Sequence, residues 1–224
     1  MWFLHKILST YLSFWIVCCF AEHRPPQRNS ESSQSLEEVF MKLFSQRRTE
    51  QINAVKGILR YDEKKREIMV NTVTEKIFQV IKSSRAVLEG AGYVPGLSEF
   101  PENEKTRDAL SNILENTSLF GDMVLYIPHV TSSILSTHNE YEVLLKWSLL
   151  FMNQTQLLDK KTIKQMSLVS QELNITDRNP DYINPYKKSA QKIQAQAQRE
   201  ALEPKPKKKK KKKLPRGPRL TDEL

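Results

Sequence analysis

The stretch Tyr141–Met152, which reads YEVLLKWSLLFM, decides the fold predicted for this chain. Its apolar residues are spread over nearly every side of a helix instead of one stripe: Val143, Leu144, Leu145, Trp147, Leu149, Leu150 and Phe151. A helix that is apolar almost all round is normally buried in a core. We therefore expect this stretch to form a helix that is central to the core.

Helical periodicity is also present at the start of the body. Ser35–Glu38 fits a capping box, in which a serine and a glutamate satisfy the first free amides of a helix. Apolar residues then recur at helical spacing over Leu36–Leu59. The polar gap at Gln46–Gln51 is either a turn or a solvated part of one long helix.

Further helices are marked by their boundaries. A second apolar stripe, Ile68–Leu88, ends at Gly90–Gly92, where glycine suits a left-handed C-cap. Pro101, followed by acidic residues, predicts the start of the next helix. Pro128 predicts a break or kink after an apolar run. Asp159 is a candidate N-cap for another helix.

These patterns predict an all-α fold, an irregular bundle of about five to seven helices. No segment alternates with period two over a convincing length, and no a/d heptad is sustained over three or more heptads, which disfavours an extended coiled coil. The predicted helical domain spans residues 35–186. A disordered leader (22–34) precedes it, and a polar helix or linker (187–204) and a disordered lysine-rich tail (205–224) follow it.

Residues 1–21 have the pattern of a cleaved secretory signal peptide. Lys6 precedes an uncharged, mostly apolar run over Ile7–Phe20, and small residues at Cys19 and Ala21 suit cleavage before Glu22. The alternative is an uncleaved membrane anchor, although the run is shorter than the ~20 residues that span a bilayer. Both cysteines of the chain lie in this segment, so the mature protein would form no disulfide.

The basic charge is concentrated at the carboxyl end. The whole chain carries a net charge of +9, but residues 187–224 hold 14 Lys/Arg against 4 Asp/Glu. The body is therefore close to neutral and lacks the basic composition of a folded nucleic-acid-binding domain. The run Lys207–Lys213 predicts an extended, solvated arm, because adjacent like charges repel.

Three tripeptides fit the acceptor motif for N-linked glycans, and they begin at Asn116, Asn153 and Asn174. Asn153 and Asn174 follow apolar stretches and should lie near helix ends, which suits exposure. Asn116 lies in a dense apolar neighbourhood. It is either an acceptor or a partly buried polar cap residue.

The sequence indicates no catalytic site, and we predict a non-enzymatic protein without cofactor, metal or small-molecule substrate. His129 and His138, the histidines of the body, have no cysteine near them and do not form a metal-ligand pattern. Neither a glycine-rich phosphate loop nor a nucleophile elbow is present.

The last four residues resemble a retrieval signal of the endoplasmic reticulum. Thr221, Asp222, Glu223 and Leu224 differ from Lys-Asp-Glu-Leu only at the first position. With a signal peptide at the other end, this predicts a lumenal protein that binds the KDEL receptor. The lysine run favours the alternative of a nuclear protein.

Several segments in the same order resemble the coiled-coil domain-containing protein 134 family. The residues that carry the resemblance are Glu115–Asp122, Leu144–Trp147, Asn153–Thr155, Gln171–Leu173 and Asn184–Tyr186. It covers most of the chain from about Leu36 to Tyr186.

The resemblance implies a lumenal, partly secreted protein that is glycosylated at Asn153. It also implies an adaptor at the translocon that prevents excess glycosylation of endoplasmin by the oligosaccharyltransferase. Relatives are linked as well to restraint of mitogen-activated kinase signalling, to a cytokine-like role and to a nuclear acetyltransferase complex. A lumenal adaptor is thus the first functional hypothesis, a secreted signalling regulator the second, and a nuclear interaction protein the third.

Overall fold

A computed structural model describes residues 33–202 of this chain. These residues form seven helices and no strand: α1 Ser33–Ile58, α2 Glu63–Gly90, α3 Glu104–Tyr126, α4 Pro128–Thr137, α5 Asn139–Thr155, α6 Lys160–Glu172 and α7 Lys187–Leu202. The all-α prediction is confirmed. The chain divides into two units, Met1–Leu36 and Glu37–Leu224. Only the first turn of α1 is described in the first unit, and the packing below concerns the second.

The central helix is α3. Every residue from Asn116 to Tyr126 is buried, and α3 contacts α2, α4, α5, α6 and α7. The expectation that Tyr141–Met152 would be the central helix is wrong in this respect. That stretch forms most of α5, which buries one side but leaves Val143 and Leu150 about two-thirds exposed. Small residues let neighbours approach α3 closely: a Cβ on Gly121 would lie 2.8 Å from the Met166 methyl carbon in α6.

The helix boundaries partly follow the sequence signals. Asp159 accepts a hydrogen bond from the Thr162 amide (2.8 Å) and caps α6 as predicted. Pro128 separates α3 from α4, also as predicted. Gly92, just after α2, has the left-handed φ of +68° that favours glycine.

Two predicted helix starts are wrong. The helix expected to begin at Pro101 begins at Glu104, because the Asn103 side chain accepts from the Thr106 amide (3.1 Å) and caps it there. Helix α1 begins at Ser33, so Ser35 lies inside the helix and not at its N-cap.

The polar gap of α1 packs against the core. Helix α1 runs unbroken through Gln46–Gln51, so the gap is not a turn. Arg48 is only 5% exposed, which also excludes a fully solvated stretch.

Arg48 is buried because it neutralises Asp122, which is fully buried in α3. The Arg48 guanidinium donates two hydrogen bonds to the Asp122 carboxylate, at 2.7 and 3.1 Å. It also donates to Gln51 (2.7 Å) and to Gln165 of α6 (3.1 Å), and the Gln165 amide in turn donates to Asp122. Burial raises the pKa of the Asp122 carboxyl above its ordinary value, and Arg48 opposes that shift. The network therefore joins α1, α3 and α6.

Aromatic rings join α2 to α3 and α5. Phe78 of α2 meets Phe120 of α3 edge-on, with ring centroids 4.9 Å apart, and stacks on Tyr141 of α5 at 4.5 Å. The His138 ring also stacks on Tyr141, with ring centroids 4.8 Å apart. Its Nδ1 lies 3.1 Å from the Ile134 carbonyl oxygen. His138 is thus part of an aromatic stack.

Replacing Arg48 by alanine should destabilise the fold strongly. The substitution leaves the Asp122 carboxylate buried without its cation, and breaking a buried pair in this way costs about 3–5 kcal/mol. Urea unfolding followed by circular dichroism measures the loss, and the double variant Arg48→Met/Asp122→Leu should recover much of it. The control is Arg60→Ala, which breaks the exposed Arg60–Glu200 pair (2.9 Å) and should cost far less, because water and salt screen an exposed pair. Equal losses for the two alanine variants would contradict the role assigned to Arg48.

Candidate functional site

The acceptor motif at Asn153 lies in the last turn of α5. The Asn153 side chain is exposed, so a glycan attached there would point into solvent. Thr155, the third residue of the motif, is buried, and its hydroxyl donates to the Met152 carbonyl (2.8 Å). This motif therefore combines an open acceptor nitrogen with a hydroxyl that the folded chain has already engaged.

The motif at Asn174 lies in the turn that ends α6. Asn174 is exposed and has a left-handed φ of +53°, a conformation that asparagine adopts more readily than most residues. The amides of Ile175 and Thr176 donate back to the Ser170 carbonyl, at 2.8 and 3.4 Å. Thr176 is exposed as well, so both functional groups of this motif face solvent.

Tyr182 fastens the segment after Asn174 to α6. Its hydroxyl donates to the Glu172 carboxylate (2.7 Å), and the Arg178 guanidinium lies 4.7 Å from the ring centroid. Burial and the hydrogen bond to Glu172 raise the pKa of the Tyr182 hydroxyl well above its ordinary value. The turn that carries Asn174 is therefore held at both ends.

The motif at Asn116 lies inside the fold. Asn116 is 2% exposed in the middle of α3, and its Nδ2 donates to the Asn112 carbonyl (2.8 Å). Thr117 and Ser118 are fully buried. Asn116 Oδ1 and both hydroxyl oxygens have no hydrogen-bond partner among the described residues. Of the two sequence-based alternatives, burial is observed, but Asn116 is an interior helical residue and not a cap.

The two predicted addresses lie outside the described residues. These are the signal peptide (1–21) and the terminal tetrapeptide of Thr221, Asp222, Glu223 and Leu224. The lysine run Lys207–Lys213 also lies outside them, as does nearly all of the predicted leader.

An apolar surface that the sequence analysis missed lies on α5 and in the loop before α3. Val143 and Leu150 are seven residues apart on α5, which places them on one face. Leu97 is 86% exposed in a loop whose Gly96 approaches the Gln154 backbone. The Arg85 guanidinium of α2 lies 4.5 Å from the ring centroid of Trp147 on α5. The uniform apolarity of Tyr141–Met152 concealed this face, because composition alone does not tell which side packs inward.

The described part of the chain contains no cluster of three or more His, Cys, Asp or Glu side chains that could hold a metal ion. A depression of about 550 Å³ lies open to solvent between α2 and the start of α3. Over residues 33–202, no helix has the length and apolarity needed to cross a bilayer.

The fold and these sites define a class, namely an irregular all-helical bundle that displays two acceptor asparagines and contains a third. A protein-family model described as "ERK and JNK pathways, inhibitor" matches residues 25–221, and this chain belongs to that family. The match includes all seven described helices.

Curated relatives agree with this assignment. Coiled-coil domain-containing protein 134 of Xenopus tropicalis is 34% identical over 152 residues, and that of Mus musculus is 33% identical over 151 residues. The aligned regions cover 67% and 66% of this chain, and 66% of each relative, slightly less than two thirds of its length. The resemblance predicted from the sequence is confirmed. No solved structure matches the chain.

The same substitution at the two exposed asparagines should have opposite effects on stability. Asn153→Ala should be neutral or stabilising by up to about 0.7 kcal/mol, because alanine is the better helix former. Asn174→Ala should cost about 1–2 kcal/mol, because alanine disfavours a left-handed backbone, and Asn174→Gly should be tolerated. Urea unfolding of protein made without glycosylation tests this. A stabilised Asn174→Ala variant would contradict the left-handed turn.

Proposed function

We propose that this protein is a non-enzymatic regulator, delivered to the secretory pathway, that restrains signalling through the ERK and JNK pathways. The observation that carries the proposal is the family match over residues 25–221, whose description names inhibition of these pathways. The relatives are named for a coiled-coil domain and not for an enzymatic activity. This favours action by binding.

The proposed route begins with the pattern of a signal peptide at residues 1–21. Delivery to the lumen would expose the acceptor motifs to oligosaccharide transfer. We propose Asn153 and Asn174 as the glycosylated residues, because both side chains are exposed in the folded chain. Glycans there would leave the core around α3 undisturbed.

A second candidate function is that of a lumenal adaptor. The observation that favours it is the ending Thr221-Asp222-Glu223-Leu224, which resembles a retrieval signal read by the KDEL receptor. The resemblance to coiled-coil domain-containing protein 134 adds the particular partners: endoplasmin as client, and the oligosaccharyltransferase at the translocon as the enzyme restrained. On this proposal the protein resides mainly in the endoplasmic reticulum, and the secreted fraction is what escapes retrieval.

Delivery to the lumen predicts two glycans on the chain, and the terminal tetrapeptide predicts retention in the lumen. A chain ending in Thr221-Asp222-Glu223-Leu224 should lose two glycans on treatment with endoglycosidase H. Asn153→Gln and Thr176→Ala should each remove one glycan, whereas Thr176→Ser should keep it. Deleting residues 221–224 should move the protein into the medium. An unshifted band, or unchanged lumenal levels after the deletion, would contradict glycosylation and retrieval respectively.

The two functions predict different consequences of depleting the protein from cells. If it restrains signalling, stimulated ERK and JNK phosphorylation should rise. Medium containing the form without residues 221–224 should lower it again. If it is an adaptor, endoplasmin should gain glycans, and only the retained form should reverse this. The matched control is Leu145→Glu, which places a charge at a fully buried core position and should abolish rescue. No change in either readout would reject both functions.

A further inference from the structure

The motif at Asn116 is chemically complete but sterically closed in the folded protein. The glycan is attached to the asparagine side chain, and the Asn116 side chain is only 2% exposed, unlike the exposed Asn153 and Asn174. In α3 the nitrogen is engaged with the Asn112 carbonyl, and Ser118 is fully buried. A glycan is bulky and hydrophilic and has to lie at the surface. Folding and glycosylation at Asn116 therefore exclude each other.

Two helices that contact α3 on either side of the motif precede it in the chain. Helix α1 reaches the neighbouring residue Glu115: Gln51 donates to its carbonyl (3.1 Å), and Arg47 pairs with its carboxylate (3.0 Å). Helix α2 contacts α3 two residues beyond the motif, through Phe78 and Phe120. Both helices are synthesised before α3, so packing on either side of Asn116 can begin as soon as α3 is complete, before α4–α7 are made.

The hydroxyls of Thr117 and Ser118 make no hydrogen bond within the described residues. Ser118 and Thr117 are buried with no hydrogen-bond partner in residues 33–202, an arrangement that costs folding free energy. Alanine at position 118 would fit the same helix without that cost. The feature that Ser118 does supply is the hydroxyl that completes an acceptor motif.

We propose that Asn116-Thr117-Ser118 is a fold-gated glycosylation site, open while α3 is uncovered and closed once it packs against α1 and α2. In the transfer, Asn116 Nδ2 forms a bond to the anomeric carbon of a lipid-pyrophosphate-linked oligosaccharide. The bond from that carbon to the pyrophosphate breaks, the pyrophosphate leaves with the electron pair, and one amide proton passes to a base. The glycan then prevents α3 from packing, so it marks chains that folded too slowly. This inference depends on the proposed delivery to the secretory pathway.

A matched pair of substitutions in α2 tests the gate. Ile81 is fully buried and Ile68 is 44% exposed, and both lie outside the three motifs. The full chain is translated in the presence of rough microsomes as wild type, Ile68→Ala and Ile81→Ala, and the glycans are counted by endoglycosidase H and mapped by mass spectrometry. Wild type and Ile68→Ala should carry glycans at Asn153 and Asn174 only. Ile81→Ala should gain a third, at Asn116, which Ser118→Ala removes.

Limited trypsin digestion separates the outcomes. Chains glycosylated at Asn116 should be cleaved rapidly, and chains without that glycan should resist. A glycan at Asn116 in the trypsin-resistant wild-type fraction would overturn the gate. So would its absence from a trypsin-sensitive Ile81→Ala chain that is glycosylated at Asn153. If Ile81→Ala remains resistant, Ile81→Asp replaces it. Absence of glycans at all three sites would instead count against the proposed route, and the same variants behind a heterologous signal peptide would then decide the gate.

Discussion

The buried pair of Arg48 and Asp122 is the constraint on which the rest of the structure depends. A carboxylate at the centre of a helix buried on all sides is tolerable only if a cation and further hydrogen-bond donors reach it. Arg48 comes from α1 and Gln165 from α6, so the charge of one α3 residue sets the positions of two other helices. The network adds directional hydrogen bonds to the apolar packing around α3.

Placing α3 at the centre also determines which acceptor motifs remain available. Asn153 and Asn174 lie where α5 and α6 end, and both side chains are exposed to solvent there. Asn116 lies six residues before Asp122 in the same buried run of α3 and shares its burial. The same tripeptide motif is thus exposed at Asn153 and Asn174 and buried at Asn116, and this difference in exposure separates the three sites.

The functional proposals depend on these surfaces and on the family. Membership of a family described by inhibition of the ERK and JNK pathways favours a regulator. A helical bundle with an outward apolar face on α5 suits a protein that works by binding, since contact with a partner can bury such residues. The lumenal adaptor and the secreted regulator share the same fold and the same delivery, and differ in where the protein meets its partner.

The sequence alone determined the helical class, some helix boundaries and the positions of the candidate acceptor motifs. It could do so because helical periodicity, proline and capping side chains act over a few residues, and Asp159 and Pro128 were correctly interpreted for that reason. Only the tertiary structure decided that α3 and not Tyr141–Met152 is central, that the polar gap containing Arg48 faces inward, and that Asn116 is closed. Those facts depend on partners 43 to 117 residues away, such as Gln165 for Asp122 and for Arg48. A local sequence pattern does not indicate which distant side chain will neutralise a buried charge or cover an asparagine side chain.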